Sequence, residues 1–261
     1  MSKLITTLLL SIFLVLPLAG FAADVQPSTA GSRVATGDGQ PAVDTEGDFD
    51  DPFADEEIVV NDPIEPFNRA MFWFNDKLYF YVLKPIARGY RIIPEPARVS
   101  VDNFFRNIET PVRLVNTLLQ FKMEDSGTEI GRFAVNTTVG LLGLFDPAKS
   151  WLGWERKDED FGQTLGYYGS GPGLYIVWPV MGPSNLRDSV GMAGDYFAHP
   201  LYSPLYFKLK TWEQYALYGL DSTNKTSLDR DTYEGIKKDA LDPYLFVRDA
   251  YQQHREAQIN R

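Results

Sequence analysis

The sequence predicts a mainly α fold in a single domain, on three observations. Apolar residues recur at helical spacing through most of the chain beyond residue 60, pairs of a polar residue and proline open several of those segments, and neither internal repeats nor alternating strand–helix units occur. The first helix is the most strongly marked. Asp62 is placed to cap its first turn, Pro63 suits the first helical position because its missing N–H would be unpaired anyway, and Glu65 completes an Asp-x-x-Glu capping box. Phe67, Met71, Phe74, Leu78 and Tyr81 then form one apolar face, with Asn68, Arg69, Asn75 and Asp76 on the other. Phe72, Trp73, Tyr79 and Phe80 widen the apolar sector beyond an ordinary core stripe. Two readings fit this pattern: a helix buried on nearly all sides, or one that faces lipid.

The later elements follow in order. Arg91 to Pro96 is a proline-marked break, and Val99 to Ile108 is a short amphipathic segment. Thr110 and Pro111 resemble a cap and first-turn proline, opening a helix through Val115, Leu118, Leu119 and Phe121. A further helix runs from Met123 or Asp125 to Thr138, with Ile130, Phe133 and Ala134 expected inward. Gly140, Leu141, Leu142, Gly143, Leu144 and Phe145 make a glycine-punctuated apolar loop, and Asp146-Pro147 starts a short helix toward Trp151. Glycines and prolines every few residues from Phe161 to Gly191 read as a packed loop region with one extended segment, Leu174 to Trp178. Helices are expected at about 184–197, 205–220, 226–240 and 243–258, the last opening with Asp242-Pro243.

The first residues read as a secretory signal over 1–22: Lys3, an apolar run from Leu4 to Leu18, then small residues to Ala22. That run is shorter than the ~20 residues a spanning helix needs, and no later segment approaches a span. Leu18-Ala19-Gly20-Phe21 is similar to a bacterial lipoprotein signal with phenylalanine where the acylated cysteine would stand, and the sequence holds no cysteine. Formal charge is −10. Ten acidic residues lie between Asp24 and Glu57 against Arg33 alone, so the rest of the chain is nearly neutral. Few large apolar side chains occur there, and residues 23–58 are expected to form a disordered acidic linker ahead of a helical domain over 59–258. Nothing basic is concentrated enough to suggest nucleic-acid binding.

No convincing chemistry appears. Gly169-Ser170-Gly171 lacks the glycine that a nucleophile elbow needs at 168, where Tyr168 stands, and no lysine follows the glycines as a phosphate loop requires. Two distant histidines, His199 and His254, and no cysteine give no metal site. Asp158 and Asp160 sit in a charged run that a solvated loop explains as well as acid catalysis does. The expected protein is therefore not an enzyme and carries no cofactor.

Several segments together resemble the MlaA (VacJ) family of Gram-negative outer-membrane proteins. They are Asp62-Pro-Ile-Glu-Pro-Phe-Asn-Arg69, Met71-Phe-Trp-Phe-Asn75, Lys84-Pro-Ile-Ala-Arg-Gly-Tyr90, Asn103-Phe-Phe-Arg-Asn107, Val115-Asn-Thr-Leu-Leu-Gln120, Arg132-Phe-Ala-Val-Asn136, Gly140-Leu-Leu-Gly-Leu-Phe-Asp146, Phe161-Gly-Gln-Thr-Leu-Gly166 and Gly182-Pro-Ser-Asn-Leu-Arg-Asp188. The resemblance implies a ring-like arrangement of amphipathic helices around an amphipathic central channel, seated in the inner leaflet of the outer membrane. It further implies non-enzymatic removal of phospholipid from that membrane, with a trimeric porin and a soluble periplasmic phospholipid carrier as partners. With Phe21 at the acylation position, attachment is expected to come from protein surface, and Phe67, Met71, Phe72, Trp73 and Phe74 are the expected membrane-facing residues. Asn68, Asn75, Arg132 and Asn136 are expected along the lipid path, or else as hydrogen-bonded residues of a helical core. Gly140 to Phe145 is expected to gate the channel. A porin-associated scaffold and a lipid hydrolase built on Ser170 are the alternatives.

Overall fold

The computed structural model describes residues 60–206, 208–229 and 231–261. The expected leader over 1–22, Phe21 and the acidic segment over 23–58 lie outside the described residues. The helices are α1 (Glu65–Leu78), α2 (Lys84–Tyr90), α3 (Glu95–Ile108), α4 (Thr110–Leu119), α5 (Met123–Thr138), α6 (Pro147–Leu152), α7 (Phe161–Tyr167), α8 (Leu186–Ala198), α9 (Thr211–Leu228), α10 (Thr232–Asp239) and α11 (Pro243–Ile259). A π-helical turn, Tyr79–Leu83, joins α1 to α2. Pro85 explains it, because its ring nitrogen cannot donate to the preceding turn, and Lys84 N–H bonds back to Tyr79 O instead. Two short strands, β1 (Tyr175–Trp178) and β2 (Gly182–Asn185), pair antiparallel, with Tyr175 opposite Asn185 and Trp178 opposite Gly182.

Neighbouring elements close into a ring. In order, α1 packs on α2 through the π turn, α2 on α9, α9 on α3, α3 on α4, α4 on α7, α7 on α11, α11 on β2, and β2 back on α1. Four helix starts are capped as polar-residue chemistry dictates. Asp146, Asp160, Asn185 and Asp242 each accept from a backbone N–H of the first turn of α6, α7, α8 and α11, a contribution of about 1 kcal/mol apiece.

Two other caps expected from the sequence are spent elsewhere. Asp62 accepts from Asn68 Nδ2 at 2.7 Å and from the Tyr244 hydroxyl, joining the chain before α1 to α11, while Glu65 pairs with Arg69 at 2.6 Å. Thr110 lies inside α4 and accepts from Arg113 Nη2 at 2.9 Å. Tertiary partners offer these oxygens more than a first-turn N–H does. The glycine-rich stretch is also more regular than expected. Phe161–Tyr167 is a helix, and a second strand faces the extended segment. Its glycines serve close approach: a Cβ at Gly191 would fall 2.4 Å from Gly162 N, so α7 and α8 cross with their backbones nearly touching. The helix expected from 205 begins at Thr211 and runs on to Leu228.

Burial is inverted relative to a water-soluble domain. Among the described residues, buried polar and charged side chains outnumber buried apolar ones. On α4 the inward residues include Arg113, Asn116 and Thr117, while Val115, Leu118 and Leu119 face out. On α5 the inward residues are Ser126, Glu129, Arg132 and Asn136. Ile130, Phe133 and Ala134, expected inward, are exposed. The helical period holds while its inward face is reversed, since an amphipathic stripe does not say which of its faces meets protein. Small apolar clusters remain, one of Phe105, Leu201 and Tyr202 and another of Tyr175, Val177 and Tyr244.

Two polar clusters hold the ring. Arg255 of α11 bonds Asp160 at 2.6 and 2.9 Å and Asp188 at 2.9 and 3.0 Å, while Tyr251 donates to Asp188 at 2.7 Å. Burial alone would raise the Asp188 carboxyl, but the Arg255 guanidinium outweighs it and holds the group down at about 2. The second cluster is on the free edge of β1. Asn68 donates to Tyr175 O at 2.9 Å and accepts from Val177 N at 2.8 Å, and Asn75 does the same for Trp178 O and Val180 N at 2.9 and 2.6 Å. Seven helical residues rise ~10.5 Å and three strand residues ~10 Å, so two asparagines two turns apart meet the strand edge in register. The side-chain amides replace a third strand.

Replacing Asn68 by Ala leaves Tyr175 O and Val177 N unpaired in the interior, and a loss of roughly 2–4 kcal/mol is expected in urea unfolding, larger than for Asn75→Ala. Arg255→Gln should cost up to roughly 3–5 kcal/mol, because it removes the cation shared by half-buried Asp160 and buried Asp188 and leaves Asp188 with Arg187 alone. Because the Asp188 carboxyl is depressed when folded, its share of stability is present above the ordinary carboxylate range and lost as pH falls toward about 2. Acid titrations of wild type and Arg255→Gln followed by circular dichroism should differ in that window and coincide if the cluster is inert.

Candidate functional site

The ring surrounds an open cavity of about 420 Å³. Its wall is built from α3, α4 and the residue joining them (Arg106, Glu109, Val112, Arg113), the segment before α7 (Arg156, Asp158, Glu159, Asp160), α8 (Met192, Asp195), α9 (Asp221, Lys225) and α11 (Tyr251, His254, Arg255). Both polar and apolar groups face it, so it is amphipathic in the literal sense. Fixed charges are arranged in pairs: Lys225 lies 3.0 Å from Asp221 and 3.9 Å from Glu109. Burial would raise Glu109, yet Lys225 and then Arg113 keep it below the usual carboxylate range. Burial pushes Asp221 up to about 6 despite Lys225. Asp195, raised by burial and by neighbouring Asp160, stands at about 7 and accepts from Asn116 Nδ2 at 2.8 Å.

A smaller recess of about 40 Å³ lies between α3, α4 and α5, sharing Arg106, Arg113 and Arg156 with the cavity wall. Arg132 and Asn136 line this recess. Arg132 bonds Asp146 Oδ2 at 2.8 Å and the carbonyl of Trp154, while Asn136 donates to Asp146 Oδ1 at 2.9 Å and accepts from Ala148 N at 3.0 Å. Of the four polar residues expected along the path, these two stand beside a cavity. Asn68 and Asn75 do not; their amides are committed to β1 and line neither space.

The loop from Gly140 to Phe145 is a tight turn. Leu142 N bonds Thr137 O at 2.9 Å, Gly143 N bonds Asn136 O at 2.8 Å, and Phe145 N bonds Gly140 O at 3.0 Å. Its glycines are required by contact: a Cβ at Gly143 would fall 2.4 Å from Asn107 Cβ, and one at Gly140 2.5 Å from Asn136 O. Leu141 and Leu142 both adopt positive φ, 51° and 61°, a backbone conformation that costs a branched L residue roughly 1–2 kcal/mol. Leu141, Leu142, Leu144 and Phe145 all project outward.

The outer face is apolar and aromatic. Phe67, Trp73 and Phe74 are exposed, with Trp73 62 % accessible. Met71 and Phe72, expected beside them, turn inward onto the Tyr175 and Tyr244 cluster, because α1 must bury one flank against β1 and α11. Phe197, Tyr206, Trp212 and Trp151 extend the exposed aromatic set. Among the described residues no helix is long and apolar enough to cross a membrane.

The serine and histidine side chains weighed for chemistry are placed otherwise. Ser170 sits on an exposed turn, and none of the hydrogen bonds among the described residues ties its hydroxyl to a histidine or carboxylate. His199 is half-buried against the Tyr202 ring, accepts from Leu201 N at 3.2 Å, and is pushed down to about 4 by desolvation. Among the described residues no cluster of three or more His, Asp or Glu side chains could hold a metal. The cavity residues Arg106, Glu109 and Arg113 escaped the sequence reading. Their spacing of three and four residues on amphipathic segments was a usable signal, had the polar stripe been taken as the inner one.

The sequence model of the family described as "MlaA lipoprotein" matches residues 60–258. The Escherichia coli protein named "Intermembrane phospholipid transport system lipoprotein MlaA" is 36% identical over 200 residues, covering 75% of this chain and 77% of the relative. Its Haemophilus influenzae namesake is 30% identical over 203 residues, covering 77% and 80%. An uncharacterized protein of Rickettsia bellii is 36% identical over 202 residues, covering 77% of each chain. A solved structure described as "Structural basis for maintenance of bacterial outer membrane lipid asymmetry" superposes with a TM-score of 0.66 at 35% identity, covering 77% of this chain and 100% of that one. By the family match and these identities, the chain belongs to the MlaA lipoprotein family.

Proposed function

We propose that this protein moves phospholipid between membranes, drawing it from the inner leaflet of the outer membrane through the central cavity and so maintaining that membrane's lipid asymmetry. One observation carries the reading: an apolar, aromatic exterior surrounds an amphipathic cavity of about 420 Å³ whose wall sets charged groups beside apolar ones. In water that exterior would be a liability, whereas in the headgroup region its apolar area supplies the binding energy. The charged groups of its wall then accommodate headgroups that the hydrocarbon excludes, and the apolar groups accommodate acyl chains. No bond is made or broken, so the protein is a carrier and not an enzyme. A trimeric porin beside the apolar ring and a soluble periplasmic carrier receiving the lipid complete the route. The strained apolar loop from Gly140 to Phe145 serves as its gate, because two positive-φ leucines store backbone energy that a second conformation would release.

Lipids extracted from the purified protein, compared by mass spectrometry with a membrane-free control, should be phospholipids, and the protein should transfer labelled phospholipid between vesicles without releasing fatty acid. Fatty-acid release that disappears on Ser170→Ala would favour hydrolysis, and porin co-purification without bound lipid would favour a scaffold. The combined Phe67→Ser, Trp73→Ser and Phe74→Ser variant should keep its fold and bind vesicles at least tenfold more weakly in co-sedimentation. A cysteine pair tying the 140–145 loop to α3 should block transfer until reduced; undiminished transfer in the crosslinked protein would remove the gate.

A further inference from the structure

Four arginines from four parts of the chain converge on the recess between α3, α4 and α5. Arg106, Arg113, Arg132 and Arg156 line it with the amides of Asn103, Asn107 and Asn136, and Asp146 is the one carboxylate in that lining among the described residues. Its volume of about 40 Å³ compares with roughly 10–15 Å³ for a single water on the same scale, which is room for a group of phosphate size. Not all of the donors are used. Arg132 is committed to Asp146 and Trp154. Arg106 reaches Asp102 through Nε alone, at 2.5 Å, and Arg113 uses Nε on Glu129 at 2.7 Å and Nη2 on Thr110. No hydrogen bond among the described residues occupies either Nη of Arg106 or Nη1 of Arg113.

Resting on the transport reading above, we propose that Arg106 and Arg113, with Arg156, form a station for a phosphate oxyanion on the wall between the recess and the main cavity. All three line both spaces, so a phosphodiester passing through the cavity meets them without entering a dead end. Guanidinium groups suit this task, because their planar N–H forks match phosphate oxygens two at a time. Asp102 and Glu129 orient Arg106 and Arg113 while lying outside the recess lining, which leaves the free side of each fork for the ligand. Arg106 is the residue to change, being partly accessible and paired within its own helix.

The full chain, as wild type, Arg106→Gln and Arg106→Lys, is titrated calorimetrically with dihexanoyl-phosphatidylglycerol, dihexanoylglycerol and inorganic phosphate, with near-ultraviolet circular dichroism to verify tertiary structure. The expected result is a loss of about tenfold or more in phosphatidylglycerol affinity in Arg106→Gln, partial recovery in Arg106→Lys, and unchanged dihexanoylglycerol binding. Loss of inorganic phosphate binding with phosphatidylglycerol binding intact would support the same station with free phosphate as its occupant. Equal affinities of wild type and Arg106→Gln for both phosphate-bearing ligands would overturn the proposal while leaving lipid transport standing. If wild type binds neither glycerolipid, transport fails, and the inorganic phosphate titration alone decides the station. Should Arg106→Gln lose its near-ultraviolet signal, Arg156→Gln is titrated in its place by the same criteria.

Discussion

The guanidinium of Arg255, gripped by Asp160 and Asp188, is the interaction on which the architecture rests. It ties the last helix to the pair α7 and α8, and without that tie the sequence of contacts that makes a ring would stay open at one joint. A buried cation between two carboxylates is stable only when its geometry is nearly ideal, since desolvation of each charge costs several kcal/mol. The surroundings supply that geometry. Gly162 and Gly191 let α7 and α8 approach until Asp160 and Asp188 face the same guanidinium, and a Cβ at Gly162 would fall 2.5 Å from Asp188 Oδ1. Tyr251 and Asn185 occupy remaining carboxylate lone pairs of Asp188.

A ring closed by charges turns charged groups inward, and that choice sets the outside. Apolar side chains that a soluble domain would bury are displaced to the exterior on α1, α4 and α5, where Trp73, Leu118 and Ile130 stand in the open. Hydrocarbon or headgroup surroundings make such an exterior favourable, so the same inversion that turns charged groups toward the cavity leaves an outer surface suited to lipid. Cavity wall and apolar exterior are two faces of one amphipathic pattern. The short α6, α7 and α10 and the π turn between α1 and α2 permit the curvature that a ring needs, because none imposes a long straight axis.

The recess and the loop share their hardware. Asn107 and Asn136 line the recess, and the same two residues hold the turn, Asn107 by packing on Gly143 and Asn136 through its backbone carbonyl. A group that enters the recess therefore meets the supports of the strained leucine turn. Asp146 joins the two as well, capping α6 while bonding Arg132 and Asn136.

The sequence by itself determined the mainly helical class, the helix starts at Asp146 and Asp242, the span of α5 and the family, because caps, prolines and periodicity act within a few residues of chain. It could not decide which side of each helix is inside. Ile130 and Phe133 were expected to be buried on the premise that apolar means interior, and that premise assumes water outside. Nor could it show that Asn68 and Asn75 serve the edge of β1, or that Asp62 reaches Tyr244, since those partners lie more than a hundred residues away. Only the tertiary structure brings Arg106, Arg113, Arg132 and Arg156 to one recess. Hydrogen bonds and charges act over a few ångströms of space, and the distances that matter to them are set by the closed ring.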